Sequence, residues 1–184
     1  MAKSAMIIID AQEEYGPDGG LAIPGIDQTS ERIVQLLGTA RDTGVPVVNV
    51  RHVSRDPDDS TFNAASEGVK FLSGLQPAVG EVVVTKQYAD AFIDTRLDRE
   101  LRTLGVSRVY VCGYTSFLCC DSTARHAAAL GYDVRFVEDA ISEFPLDGMS
   151  QQQIHQAIVA FQGVMFSKVI TVTDAISEIR AATK

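Results

Sequence analysis

What the sequence lacks narrows what it can be. No apolar run in its 184 residues approaches the roughly 18 that a membrane-spanning helix needs. The opening MAKSAMIIIDAQ is apolar only briefly, breaks at Asp10 and offers no small-residue cleavage site, so it does not read as a secretory signal. Basic excess is missing too. Sixteen Lys and Arg stand against 24 Asp and Glu, a formal net charge of −8 with a pI of about 4.8. The basic residues are scattered, which argues against a nucleic-acid partner. Cysteine is sparse and odd in number, three residues with no export signal, which points to free thiols in a reducing cytoplasm. The three histidines, His52, His126 and His155, are far apart, with no H-x-H or H-x₃-H spacing, so no metal site is expected. There is no G-x-G-x-x-G after the first apolar run and no G-K-[ST]. Repeats, low-complexity tracts and Pro/Ser-rich linkers are likewise absent, and the length suits one domain over residues 1–184. Small molecules and further copies of the chain remain as expected partners, with neither nucleic acid nor membrane among them.

What is present alternates. Short runs rich in Val and Ile, AMIIID, VPVVNVRHV, EVVVT, RVYVCG, DVRFVED and KVITV, are nearly continuously apolar, as suits strands buried on both faces. Helical patterns separate them. SERIVQLLGTARDTG starts at Ser30 as a cap and stops at Gly44; TRLDRELRTLG runs from Thr95 to Gly105. SQQQIHQAIVAFQG spans Ser150–Gly163, and TDAISEIRAATK follows the last strand. Strands alternating with helices imply parallel pairing and helices on both faces. The expected fold is α/β, a three-layer α/β/α sandwich with a mostly parallel six-stranded sheet of Rossmann-like topology. Two long connections, EEYGPDGGLAIPG and SRDPDDSTFNAASEGVKFLSGLQPAVG, leave the carboxyl ends of the first and second strands, where open α/β sheets bind ligands.

The same edge collects reactive groups. Asp10 ends the first strand, Lys86 follows the third, and Cys119 comes one short turn after the fourth, at the start of FLCCDSTARHAAALG. A carboxylate, an amine and a thiol together are the parts of covalent catalysis. The amine and a helix N-terminus favour a thiolate, the carboxylate can move protons, and backbone N–H groups of the turn can face an oxyanion. Each residue also has a plain structural reading: a strand-end cap, a solvated lysine, a small core hydrophobe. The residues alone leave both readings open.

Three segments resemble the isochorismatase-like cysteine hydrolases, a family that includes nicotinamidases and N-carbamoylsarcosine amidases. They are IIIDAQEEY, VVVTKQYADAFIDTRLDREL and VCGYTSFLCCDSTARHAAALGYDVRFVEDA, spanning Ala5 to about Ala140. The resemblance implies Cys119 as nucleophile, Asp10 as general acid/base and Lys86 as electrostatic partner. It implies an oxyanion hole from the N–H groups of Thr115 and Cys119, and a cis peptide joining Tyr114 to Thr115. Gln12, Tyr15, His52, Phe92 and Tyr114 are the expected substrate contacts; for His52 a plain strand-end role is the alternative. Cys120 and Cys112 are read as packing, His126 and His155 as structural, and Arg125 as an i, i+4 partner of Asp121. Two departures from the family pattern are Asp90, which would add negative charge near Lys86, and the turn GYTSF.

The implied activity is hydrolysis of a non-peptide C–N bond, in an amide or carbamoyl group, through a thioester and without a cofactor. One rival is isochorismatase-type vinyl-ether hydrolysis, whose performers generally lack the cysteine. Another is a non-catalytic binding or redox-sensing module built on the vicinal thiols. A homo-oligomer, dimer or larger, is expected.

Overall fold

Strand β1 (Ser4–Ile9) is deeply enclosed, with Ala5 to Ile9 at most 1% exposed. Burying each large aliphatic side chain there contributes about 1.5–3 kcal/mol, and the strand becomes the axis of the sheet. The computed structural model, which describes residues 2–183, places β1 between β2 (Val47–His52) and β4 (Arg108–Tyr114). Beyond them lie β3 (Val82–Lys86) on one side, β5 (Asp133–Ser142) and β6 (Lys168–Ile170) on the other. The order is β3-β2-β1-β4-β5-β6, and every pairing is parallel, so the sheet is wholly rather than mostly parallel.

Helix α1 (Ile26–Thr43) packs with α5 (Val172–Ala182) on one face. On the other, α3 (Asp121–Ala129) is tied to the segment leading into α2 (Leu97–Thr103): Ala91 N–H donates to Thr123 Oγ1, and Tyr132 Oη to Asp98. α4 (Gln151–Phe161) begins at Ser150 through a capping box with Gln153. Two caps differ from the sequence expectation. α1 starts earlier than Ser30, at Gly25 with φ of 73°, because Ile23 and Ile26 are drawn into the core; the Ser30 hydroxyl meets Tyr114 Oη at 2.9 Å instead. α2 starts after Arg96 rather than Thr95, although Thr95 Oγ1 still accepts the Leu97 N–H at 3.1 Å.

The chain winds outward from β1 to β3, then returns to β4 and winds the other way, so the strand order reverses between β1 and β4. Open parallel sheets bind ligands beyond the carboxyl ends of strands at such a point. The two strands approach closely there. A Cβ on Gly113, whose φ is 118°, would lie 2.0 Å from Ile9 O, so only glycine fits. Over this edge the connections 10–25 and 53–81 meet and pair, Glu13 N–H donating to Lys70 O at 2.8 Å and Leu72 N–H to Ala11 O at 2.9 Å. No helix among the described residues is long and apolar enough to cross a membrane.

Candidate active site

Each reactive group arrives at the edge by a different local device. Asp10 turns off β1 in the left-handed region, φ 49°, with its N–H still held by Val50 O at 2.9 Å. Lys86 is the last residue of β3 and lies in register with His52, the last of β2. Cys119 follows a cis Tyr114–Thr115 peptide and sits in a π-helical turn, Ser116–Cys120, that leads into α3. The sequence suggested a simple α-helical start; such π turns recur where a functional side chain must be re-aimed.

Lys86 joins the three. Its Nζ lies 2.7 Å from Asp10 Oδ2 and donates to Cys119 Sγ at 3.2 Å and Tyr88 O at 3.0 Å, with His52 Nδ1 also at 3.2 Å. An ammonium has three hydrogens, so four neighbours share them. The contact with Asp10 is close but poorly directed, and both Asp10 oxygens are left without a hydrogen-bond partner among the described residues. Asp10 is 0% exposed, Lys86 1% and Cys119 6%.

Burial sets the protonation states. It pushes the Cys119 thiol up to about 12; Asp10 adds to the rise, and Lys86 only partly offsets it. Desolvation and the adjacent carboxylate favour the neutral thiol, and the Lys86 ammonium favours the thiolate. Burial opposes the charge on Lys86, yet Asp10 and Cys119 prevail and its pKa is raised. His52 is lowered, first by burial and then by Lys86, so a neutral imidazole faces the ammonium. The arrangement offers a thiol, a carboxylate with free lone pairs beside it, and a fixed cation touching both.

Comparison with known proteins gives the family. The isochorismatase domain model matches residues 4–174. The chain belongs to the isochorismatase family. An isochorismatase from Pseudomonas putida is 35% identical with a TM-score of 0.88, covering 94% of this chain and 89% of that one. A cysteine hydrolase from Pseudomonas syringae pv. phaseolicola is 26% identical with a TM-score of 0.91, covering 98% and 93%. The maleamate amidohydrolase of Pseudomonas putida is 28% identical over 192 residues, 97% of this chain and 87% of that protein. The isochorismatase family thus contains amidohydrolases.

The remaining expected contacts separate on this isochorismatase scaffold. His52 and Tyr15 border the cluster: burial, then the proximity of Cys119 and Asp10, raises the Tyr15 phenol, and its ring lies 5.8 Å from Tyr114. Gln12 is engaged by backbone. It is 0% exposed, and its amide clamps the His52 backbone, Oε1 accepting the N–H at 2.6 Å and Nε2 donating to the carbonyl at 2.9 Å, with Val69 O at 3.1 Å. Tyr114 points into the core, 0% exposed, toward Ser30. Phe92 packs on His126 at 5.0 Å and Tyr132 at 6.3 Å. Cys120 and Cys112 are fully enclosed, and Arg125 pairs with Asp121 at 2.7 Å. Asp90 does not act on Lys86 as expected; its carboxylate holds His126 Nδ1 at 2.6 Å and caps the Phe92 N–H at 2.8 Å.

The residues here do not fit a metal ion. His52 Nδ1 is engaged by Lys86, His126 by Asp90, and His155 by Glu143 at 3.4 Å. Among the described residues no three His, Cys, Asp or Glu side chains are grouped to hold an ion. Sequence reasoning missed the Tyr88 carbonyl, which has no side-chain signature, and Phe62 and Glu14, whose positions depend on how the two long connections meet.

Proposed function

We propose that this isochorismatase-family chain is a cysteine hydrolase that cleaves a non-peptide C–N bond, in an amide or carbamoyl group of a small molecule, by way of a thioester. The observation that carries the reading is Lys86 Nζ in contact with both Asp10 Oδ2 and Cys119 Sγ inside a nearly closed centre.

Asp10 takes the thiol proton as Cys119 Sγ attacks the carbonyl carbon, so the charged thiolate need not persist in the buried resting site. Lys86 stays protonated and stabilises negative charge as it passes between sulfur and carboxylate. The N–H groups of Thr115 and Cys119 receive the developing oxyanion. When the tetrahedral adduct collapses, the C–N bond breaks and Asp10 returns its proton to the leaving nitrogen. Water then adds to the thioester with Asp10 as base; the C–S bond breaks, the acid departs and Cys119 regains its proton. His52 and Tyr15 border the substrate, and no cofactor takes part. The assembly is a homo-oligomer acting on small molecules in the cytoplasm.

Turnover on a panel of primary amides and carbamoyl compounds tests this. Cys119→Ser is expected to stop turnover and the accumulation of an acyl adduct seen by mass spectrometry, while Cys120→Ala keeps both. Equal loss in the two variants, or reversible thiol oxidation without turnover, points to a thiol sensor instead. Vinyl-ether cleavage that survives Cys119→Ser points to isochorismatase chemistry.

A further inference from the structure

Glu14 is a buried carboxylate that the proposed chemistry does not use. It is 4% exposed, and no cation lies within ion-pair distance among the described residues. Its partners are backbone groups of two different connections. Oε1 accepts the Gly20 N–H at 2.8 Å, within connection 10–25; Oε2 accepts the Phe62 N–H at 3.0 Å, within connection 53–81. Its own carbonyl accepts the Leu21 N–H at 3.0 Å.

The surrounding backbone is cut to fit this side chain. A Cβ on Gly68 would lie 2.1 Å from Glu14 Oε2, and one on Gly20 would lie 2.5 Å from Oε1. Phe62, at φ 49°, is held in the left-handed region that non-glycine residues rarely adopt. Its ring meets Tyr15 edge-on at 5.3 Å and His52 at 4.9 Å, the two rings that border the Cys119 centre. His52 in turn touches Lys86. A continuous line of contacts therefore runs from Glu14 through Phe62 to the reactive groups.

We propose that Glu14 is a positioning residue: its carboxylate latches the two long connections together and holds Phe62 against His52 and Tyr15, closing access to Cys119. The two hydrogen bonds span separate segments, so losing them frees one connection from the other. The latch sets how large a substrate reaches the sulfur. This claim goes beyond the proposed hydrolysis, and its test needs no substrate, so either can fail alone.

The test is the rate at which iodoacetamide alkylates Cys119 in the folded full chain at fixed pH, read by mass spectrometry. Cys112 and Cys120, both 0% exposed, serve as internal references. Glu14→Ala is expected to raise the Cys119 rate roughly 10- to 100-fold, the weight of two buried hydrogen bonds. Gly68→Ala, which pushes on the same carboxylate from the opposite connection, should raise it similarly, and the double variant no further than the larger single change. Glu14→Gln, keeping one acceptor, should fall between. A destabilising control remote from both connections, Ile179→Val in α5, should leave the rate unchanged. The proposal is overturned if folded Gly68→Ala and Glu14→Gln alkylate at the parent rate. It is equally overturned if Ile179→Val accelerates the reaction as much as the latch variants. Should Glu14→Ala fail to fold, the Gly68→Ala and Glu14→Gln rates decide.

Discussion

Both ends of the sheet gather charge, and they use it differently. At the amino ends of the strands, Arg108, Asp133, Arg135 and Lys168 form a network around Glu178 of α5, with Arg135 Nε at 2.9 Å and Lys168 Nζ at 2.8 Å. Side-chain exposure there runs from 9% for Arg135 to 60% for Lys168, so water screens the Lys168 end of the network. At the carboxyl ends, Asp10 and Lys86 are shut away from solvent, and the acid's oxygens lack directed donors. Exposure separates the two roles. Paired charges at the rim hold strand ends together, while a buried pair with unused lone pairs is poised to move a proton.

The largest expected effect breaks the poised end. Asp10→Asn keeps the shape but removes the base, and turnover on any cleaved amide should fall roughly a thousandfold; retention of the parent kcat would show that another group moves the proton. Next is stability. Lys86→Met strands the Asp10 carboxylate in the core and should cost about 3–5 kcal/mol in urea unfolding. A loss matching that of a rim pair would mean water already reaches the site.

Two histidines sharpen the contrast through pH. His52 is kept neutral in the fold, so the stability this confers is lost as pH falls below about 6.5, its unfolded value. His155 is raised by its bond to Glu143, so its contribution holds below about 6.5 and fades as pH rises through the folded value. In melting curves between about pH 5 and 8, His52→Gln should flatten the acid loss and His155→Gln the alkaline-side loss. Curves parallel to the parent in both variants would remove this account. Smallest of all, Lys168→Met at the rim should change unfolding free energy by less than about 1 kcal/mol. A larger loss would make the rim network more than a screened surface cluster.

Much of the fold was legible because its signals are local. Six apolar runs and their intervening helical periods mark the strands, and Asp10, Lys86 and Cys119 stand where runs end. Side-chain direction was not legible. Gln12 reads as a ligand contact beside Asp10, yet its amide closes on the His52 backbone, a partner 40 residues away. Asp90 reads as a neighbour of Lys86, but His126 on α3 captures it. Tyr114 turns inward to Ser30, which in turn is no helix cap.

Sequence alone determined the parallel sheet and the edge at which an acid, an amine and a thiol would emerge, since periodicity and strand order constrain the backbone. Only the tertiary structure decided how deeply the sulfur is buried beside Lys86 and that Glu14 joins two connections. Those outcomes depend on how much water is excluded and on which distant backbone N–H groups converge, and neither quantity is written in any short stretch of residues.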